Sequence, residues 1–356
     1  MARVLAIEPF HGGSHKAFLD GLVARSRHEL VVLGQPARFW KWRMRGSAMV
    51  MAERARSLGH RPDVVLASDM LSLAEFLGIY GRVPSILYMH ESQVAYPSRT
   101  DEERDVHFAM TNLSSCLAAD RVVWNSRYHM DSFLEGIRAI VGRMPDERPQ
   151  VETRSVVIPP GIECEALDAI PAAREEPPIV VWNHRWEHDK RPGDFFEAAG
   201  RVADTGRSFR VAVLGESFEE KPSAFEEGRR RLGDRIVRLG YVEDVADYRR
   251  WLRRSSIGIS TAVQETFGIA AVEAAYAGAR PLWPDRLSYP ELLPGRDHLY
   301  SSVDDLARKI SDLLDRPEDP ARSEEIRRSL GRFGWSRIIG EYDALIEEVA
   351  SGQTIR

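Results

Sequence analysis

The chain has 356 residues, 43% hydrophobic and 29% charged, an ordinary globular composition long enough to build two hydrophobic cores. No apolar run approaches the roughly 18 residues that would span a bilayer, and the N-terminus enters a short apolar run without the pattern of a signal peptide, so the expected location is the cytoplasm, without membrane association. A net charge of −5 excludes a protein that coats nucleic acid.

The charge is unevenly spread. Residues 1–60 hold ten Lys and Arg against four Asp and Glu, a local balance of 10 − 4 = +6 that suits a polyanionic partner.

The first half reads as strand followed by helix, repeated. Short apolar runs rich in β-branched residues lie at 4–7, 30–33, 64–67, 85–89, 121–124 and 156–158. They are continuous rather than alternating, as expected of parallel strands buried on both faces. Directly after the first run comes Glu8-Pro9-Phe10-His11-Gly12-Gly13-Ser14-His15. Its paired glycines allow a ligand close to the backbone, and the helix that follows offers N–H groups to a phosphate; a tight turn without ligand is the other reading.

After the second run stands Arg38-Phe39-Trp40-Lys41-Trp42-Arg43-Met44-Arg45, aromatics alternating with cations. The rings suit stacking on unpaired RNA bases and the cations suit phosphates. Equally, the segment reads as an amphipathic loop packed on its own domain. The run at 85–89 ends in Tyr88-Met89-His90-Glu91-Ser92-Gln93-Val94-Ala95-Tyr96-Pro97, where His90, Glu91, Gln93 and Tyr96 are candidates to touch a transferred group or its acceptor.

Pro159-Pro160-Gly161 and the stretch up to Pro177-Pro178 read as a linker, with the boundary near 170, hence domains at 1–170 and 171–334. The second half restarts the pattern with runs at 179–182, 210–214, 236–239, 257–260 and 280–283. Two doubly wound parallel sheets follow, an α/β fold whose ligands belong at the carboxyl ends of the strands, in a cleft where the two domains face each other.

The first of these runs opens into Trp182-Asn183-His184-Arg185-Trp186-Glu187-His188-Asp189-Lys190-Arg191-Pro192, whose Arg185 and Lys190 can neutralise a diphosphate leaving group. After the run at 257–260 comes Gln264-Glu265-Thr266-Phe267-Gly268-Ile269-Ala270-Ala271-Val272-Glu273-Ala274. Taken as helical, its two carboxylates fall roughly on one face. Glu273 amid Ala and Val is costly to bury unless it binds something, such as ribose hydroxyls. A last helix at 335–349 carries an apolar stripe of Ile338, Ile339, Tyr342, Leu345, Ile346 and Val349, which needs a surface to cover. Cys116 and Cys164 have no metal-ligand spacing and read as isolated thiols.

The Arg-x4-Lys loop followed by Glu-x7-Glu resembles the retaining GT-B glycosyltransferases of the family-four type. More narrowly, the wording around Glu8 to His15, the Trp-Lys-Trp-Arg segment, His-Glu-Ser-Gln-x-x-Tyr-Pro and His184 to Lys190 look like the tRNA-queuosine mannosyltransferases, and Val213-Leu214-Gly215-Glu216-Ser217-Phe218, Tyr289-Pro290-Glu291 and Phe333-Gly334-Trp335 continue the likeness.

The resemblance implies GDP-mannose as donor and a cyclopentenediol hydroxyl of queuosine, in the anticodon loop of an aspartate tRNA, as acceptor. It implies that Arg185 and Lys190 hold the diphosphate, Glu265 the sugar and Glu273 the ribose. Backbone N–H groups of Thr266, Phe267 and Gly268 then join the phosphate cradle, with Gly12, Gly13 and Gly215 on the donor as well. His90 touches the sugar, while Tyr241 and Val242 lie at the base. Trp40, Lys41, Trp42, Arg43 and Arg45, with Glu91, Gln93 and Tyr96, are left for the RNA acceptor. Such enzymes act by positioning and electrostatic stabilisation, so no metal or other cofactor is expected, and in such folds the C-terminal helix crosses back to the first domain. A lipid or small-glycan acceptor and a non-catalytic nucleotide-sugar or RNA binder are the alternative readings.

Overall fold

The computed structural model describes residues 1–92, 94, 106–140, 148–215, 223–316 and 318–352. They form two compact units, Met1–Gly161 together with the chain from Trp335 onward, and Ile162–Gly334. The change falls at Gly161, nine residues before the expected 170, because Ile162 already pairs with Gly334 and packs in the second unit's core.

In the first unit β1 (Arg3–His11), α1 (Gly13–Arg25), β2 (Glu29–Pro36), α2 (Trp40–Ser57), β3 (Val64–Ser68), α3 (Leu73–Tyr80) and β4 (Ser85–Met89) lead to α4 (Val106–Ala118), β5 (Arg121–Trp124), α5 (Arg127–Ile140), α6 (Arg148–Arg154) and β6 (Ser155–Val157). The six strands pair in parallel in the order β2-β1-β3-β4-β5-β6. Alternate residues serve opposite faces. Leu5, Ile7, Val65, Ala67, Leu87 and Met89 enter one core layer, and Val4, Ala6, Val64, Leu66, Ile86 and Tyr88 the other. Both faces being apolar is why these strands read as unbroken runs.

The second unit runs α7 (Cys164–Asp168), β7 (Ile179–Asn183), α8 (Pro192–Asp204), β8 (Arg210–Leu214), α9 (Ala224–Leu232), β9 (Ile236–Gly240), α10 (Val245–Arg254) and β10 (Ser255–Ile259), then α11 (Ile269–Tyr276), β11 (Arg280–Pro284), α12 (Tyr289–Leu292), β12 (Leu299–Tyr300), α13 (Val303–Asp315) and α14 (Pro320–Leu330). Its sheet is also parallel, in the order β12-β11-β10-β7-β8-β9. The first strand, β7, lies between β8 and β10, so the winding reverses between β7 and β10; in the first unit it reverses between β1 and β3. Ligand crevices of doubly wound sheets open at such points, beyond the carboxyl ends of the strands.

The last helix, α15 (Trp335–Ala350), belongs to the first unit. Its stripe, Ile338, Tyr342, Leu345, Ile346 and Val349 led by Trp335, covers the sheet face formed by Val4, Ala6, Leu66 and Tyr88. Trp335 fits a notch made by two glycines: a Cβ on Gly21 or Gly161 would come within 2.3 and 2.2 Å of its ring. Among the described residues no helix is long and apolar enough to cross a membrane. Cys116 and Cys164 are buried free thiols, one in each unit.

Candidate active site

At the reversal point of the second unit, the loops that leave β7 and β10 are tied together. The Thr261 hydroxyl donates to the Lys190 carbonyl at 2.7 Å, and the Val263 N–H donates to the Asp189 carbonyl at 2.7 Å. Aromatic packing holds the first loop down: Trp186 stacks on Phe225 with centroids 4.1 Å apart, and Trp182 Nε1 donates to Thr261.

Gly215, the last described residue after β8, has φ +144°, and a Cβ there would lie 1.9 Å from the His184 carbonyl oxygen. Only glycine fits a backbone approach that close. The glycine's structural effect is therefore to let the β7 loop lie flat against its neighbour.

The two cations of this loop part company. Lys190 is only 6% exposed. Its ammonium donates to the Gln264 carbonyl at 2.6 Å and pairs with Asp189 at 3.0 Å and Glu265 at 3.4 Å. Burial works against its charge, but Glu265 and Asp189 outweigh burial and lift its pKa above the ordinary lysine value. Arg185 is half exposed, with Nη1 3.2 Å from Glu187. Beside them His184 is buried and kept neutral, its pKa lowered to about 3 by burial and then by the Lys190 charge.

Glu265 is not helical. α11 begins at Ile269, after Gly268 at φ +96°, and a helix does not extend backward through a left-handed residue. The expected shared helical face of Glu265 and Glu273 is therefore replaced by two supports, a loop for Glu265 and α11 for Glu273. Phe267 is buried edge-on against Phe333, and its carbonyl accepts from Ser288, which fixes the path of Thr266, Phe267 and Gly268.

Glu273 accepts a hydrogen bond from the Tyr248 hydroxyl at 3.1 Å. Burial pushes its pKa up to about 7, and the tyrosine and Arg249 hold it from rising further. Past β9, Val242 packs on the core and Tyr241 is exposed.

In the first unit the strand ends bring together residues that sequence spacing did not join. Glu8 is buried at the end of β1, where Oε1 accepts from the Phe10 N–H at 2.8 Å and Oε2 from His15 at 3.0 Å. His15, on α1, stacks on His90 beyond β4 with ring centroids 3.8 Å apart, and His90 Nε2 lies 3.6 Å from Glu8.

The backbone of His90 is clamped on both sides. Its N–H donates to Asp69 at 3.1 Å and its carbonyl accepts from Asn125 at 3.0 Å. Burial opposes protonation of His15, yet the Glu8 charge and hydrogen bond, with help from Asp69 and Glu91, raise its pKa to about 9. His90 goes the other way, held well below the usual value by burial and by the charge of His15. The two stacked imidazoles are thus shifted in opposite directions, with protonation favoured on His15 and disfavoured on His90. Burial also lifts Asp69 to about 7.

Glu8, His15 and His90 place donor atoms within 4.8 Å of one another, a possible metal-ligand set among the described residues. Their geometry is poor for one. Rings stacked face to face at 22° cannot both direct an in-plane lone pair at one ion, and His15 Nδ1 is already bonded to Glu8.

Gly12 and Gly13 begin α1. A Cβ on Gly12 would sit 2.6 Å from that of Ala37, and Gly13 adopts φ +53°. The first glycine thus admits the chain that leads into α2. There Phe39, at φ +55°, and Trp42 are 76% and 77% exposed, whereas Trp40 packs on Phe108 at 5.1 Å. Lys41 lies over the Trp40 ring and Arg45 over Phe108; Arg43 reaches back to the Pro36 carbonyl. Glu91 is half-buried next to His90. Gln93 and Tyr96, and Glu216 to Phe218, lie outside the described residues.

Spacing and composition assign no role to Glu8, His15, Asn183 and Asp189, although all four stand inside the motifs, and they pass over Asp69, Asn125 and Tyr248. For Asp69 a signal was present, an acid ending a buried apolar run. For Tyr248 the local signal pointed elsewhere: with Trp251 and Leu252 it forms the apolar face of an amphipathic helix, which reads as core packing.

Residues 3–162 match the family model described as tRNA-queuosine alpha-mannosyltransferase N-terminal, and residues 165–329 match glycosyl transferases group 1. A curated tRNA-queuosine alpha-mannosyltransferase of Drosophila melanogaster is 34% identical over 332 residues, 88% of this chain and 87% of that protein. Among solved structures, Anabaena Alr3699/HepE in complex with UDP superposes with a TM-score of 0.72 at 14% identity, covering 98% of this chain and 100% of the other. Sucrose-phosphate synthase from Thermosynechococcus elongatus gives 0.74 at 14% identity, covering 99% and 100%.

Proposed function

The chain belongs to the tRNA-queuosine alpha-mannosyltransferase family and is a glycosyltransferase of GT-B fold, and on that premise we propose that it transfers mannose from GDP-mannose, with retention of configuration, to a cyclopentenediol hydroxyl of queuosine in the anticodon loop of tRNA-Asp. The observation that carries the donor half is Lys190: a buried, charged ammonium at the winding reversal of a Rossmann-type sheet, beside Glu265. A site of that kind suits a departing diphosphate.

In this reading Lys190 and Arg185 neutralise the diphosphate as the glycosidic bond breaks. Backbone N–H groups of Thr266, Phe267 and Gly268 assist, and Gly12, Gly13 and Gly215 are assigned to donor binding. Glu265 holds hydroxyls of the sugar, Glu273 those of the ribose, and Tyr241 and Val242 flank the base. His90, kept neutral by burial and by the His15 cation, carries no charge that would repel an oxocarbenium-like centre. The diphosphate oxygen takes the acceptor's proton, so the reading includes no protein nucleophile and no metal ion.

For the acceptor, the exposed rings of Phe39 and Trp42 among Arg38, Lys41, Arg43 and Arg45 support contact with unpaired bases. Trp40 is assigned to packing, while Glu91, Gln93 and Tyr96 remain acceptor-side candidates. A tRNA substrate implies action in the cytoplasm.

The test is to incubate the chain with queuosine-containing tRNA and, separately, labelled GDP-mannose, UDP-glucose or UDP-galactose, then digest to nucleosides. Label is expected from GDP-mannose alone. Label from a UDP-sugar overturns the donor, and transfer only to a lipid extract overturns the acceptor.

A further inference from the structure

Glu273 is held by a hydrogen-bond chain whose direction can be worked out. Asn183, at the end of β7, is 6% exposed, and its Nδ2 donates twice, to the Tyr248 hydroxyl at 3.0 Å and to the Ala270 carbonyl at 2.7 Å. An amide nitrogen has two hydrogens, so both are used. This settles the orientation of the amide, because the flipped form would set its oxygen against the Ala270 carbonyl.

Having accepted from Asn183, the Tyr248 hydroxyl has its single hydrogen for Glu273 Oε2 at 3.1 Å. The chain therefore runs Asn183 to Tyr248 to Glu273 and delivers a donor to the carboxylate. Two acceptors take no part in it: the second oxygen of Glu273, and Asn183 Oδ1, which is buried without a partner among the described residues. An unpaired acceptor in a buried site is costly unless a ligand satisfies it.

We propose that Tyr248 and Asn183 are the positioning residues of Glu273: Asn183 orients the Tyr248 hydroxyl, and that hydroxyl fixes one oxygen of the carboxylate so that the other is held in place for the nucleoside ribose. The inference rests on the reading of Glu273 as the ribose-binding group. The helical neighbours of Glu273 three and four residues away are Ile269, Ala270, Tyr276 and Ala277; three carry no polar group and the Tyr276 hydroxyl is bonded to Asp168, so the hydrogen bond that fixes the Glu273 carboxylate comes from Tyr248 on α10. A carboxylate with one oxygen anchored presents the other in a fixed place to a sugar hydroxyl. The charged and titratable groups around it are Tyr248 and Arg249 on α10 and Glu163 ahead of α7; the first two favour the ionised carboxylate, and Glu163 with burial opposes it.

The experiment measures binding of GDP, 2′-deoxy-GDP and 3′-deoxy-GDP to the full chain by calorimetry across pH. The analogues share the diphosphate, so its own titration cancels in the ratio of affinities. The wild type is expected to prefer GDP by about tenfold, the worth of one hydrogen bond to a charged acceptor, with the preference fading as pH falls through about 7.

Tyr248→Phe removes one hydroxyl and no packing volume to speak of. It is expected to cut the ribose preference several-fold and to move the midpoint up by about one pH unit, because the donor that keeps the carboxylate ionised is gone. Asn183→Ala, which leaves the tyrosine unheld, is the second arm and is expected to change both quantities in the same direction.

Glu273→Gln separates the two readings. If it retains the ribose preference, the ribose assignment of Glu273 fails. If it abolishes the preference while Tyr248→Phe and Asn183→Ala keep both the wild-type preference and midpoint, the assignment stands and the positioning role is overturned.

Discussion

Lys190 Nζ lies 3.4 Å from Glu265 Oε2 although 75 residues separate them in the chain. The pair exists because β7 and β10 are hydrogen-bonded neighbours, so that the loops leaving them meet. Asp189 and the Gln264 carbonyl complete the surroundings of the ammonium, and a ligand anion would meet a cation already charged and already desolvated.

Lys190→Ala should therefore lower the transfer rate by about 10²- to 10³-fold, the range for removing one preorganised charge-stabilising donor. It should also cost about 1–3 kcal/mol of stability, since Asp189 is left buried and unpaired. Single-turnover transfer and denaturant unfolding measure the two effects separately. Wild-type turnover in a folded variant would remove Lys190 from the catalytic assignment.

The Glu8–His15 pair makes stability depend on pH. The pKa of His15 is raised in the folded state from 6.5 to about 9. Its contribution is fully present below pH 6.5 and is lost as pH rises through about 9. Stability should thus decline over that window, and Glu8→Gln should flatten the decline by removing the partner that lifts His15. Below 6.5 the buried neutral histidines His90, His129 and His184, whose values are lowered, act in the opposite sense. Thermal unfolding midpoints across pH test this, and an unchanged slope in Glu8→Gln would refute it.

The two tryptophans at the start of α2 should respond differently. Trp42→Ala and Phe39→Ala are expected to weaken tRNA binding by about 1–3 kcal/mol each, the range for removing a base stack, and to spare stability and donor affinity. Trp40→Ala should instead destabilise the fold by about 1–3 kcal/mol, because the ring that packs on Phe108 is gone. Filter binding over a salt series also reads the cations: replacing Lys41 or Arg45 should lower the salt slope by about one for each phosphate no longer neutralised. Equal RNA affinity in the Phe39 and Trp42 variants would exclude this surface.

Two glycine-to-alanine changes should have opposite signs. At Gly21 the new methyl would enter the Trp335 ring at 2.3 Å, and the overpacking should cost about 1–3 kcal/mol. Gly46, inside α2 with nothing within 4 Å of its would-be Cβ, should gain about 0.5–1 kcal/mol from better helix propensity. Urea midpoints decide both, and a neutral Gly21→Ala would mean that α15 repacks freely.

The sequence alone determined the strands and the order of the chemistry along the chain. The runs at 85–89, 121–124 and 210–214 coincide with β4, β5 and β8, because a parallel strand buried on both faces must be apolar at every position, and that demand is written locally. Motifs at strand ends were legible for the same reason, since the end of a buried run is where polar residues return. The two-residue β12 carried too little pattern to be seen.

What only the tertiary structure decided were the partnerships. Trp40 and Trp42 carry the same local signal, and it is Phe108, from α4, that draws one inward and leaves the other in solvent. Gly268 in its left-handed conformation put Glu265 in a loop, where spacing alone suggested a helix. The stacking of His15 on His90 and the bond from Tyr248 to Glu273 depend on which strands lie side by side. Strand neighbours are chosen by the burial of whole sheet faces, a property of the assembled core that no window of sequence contains.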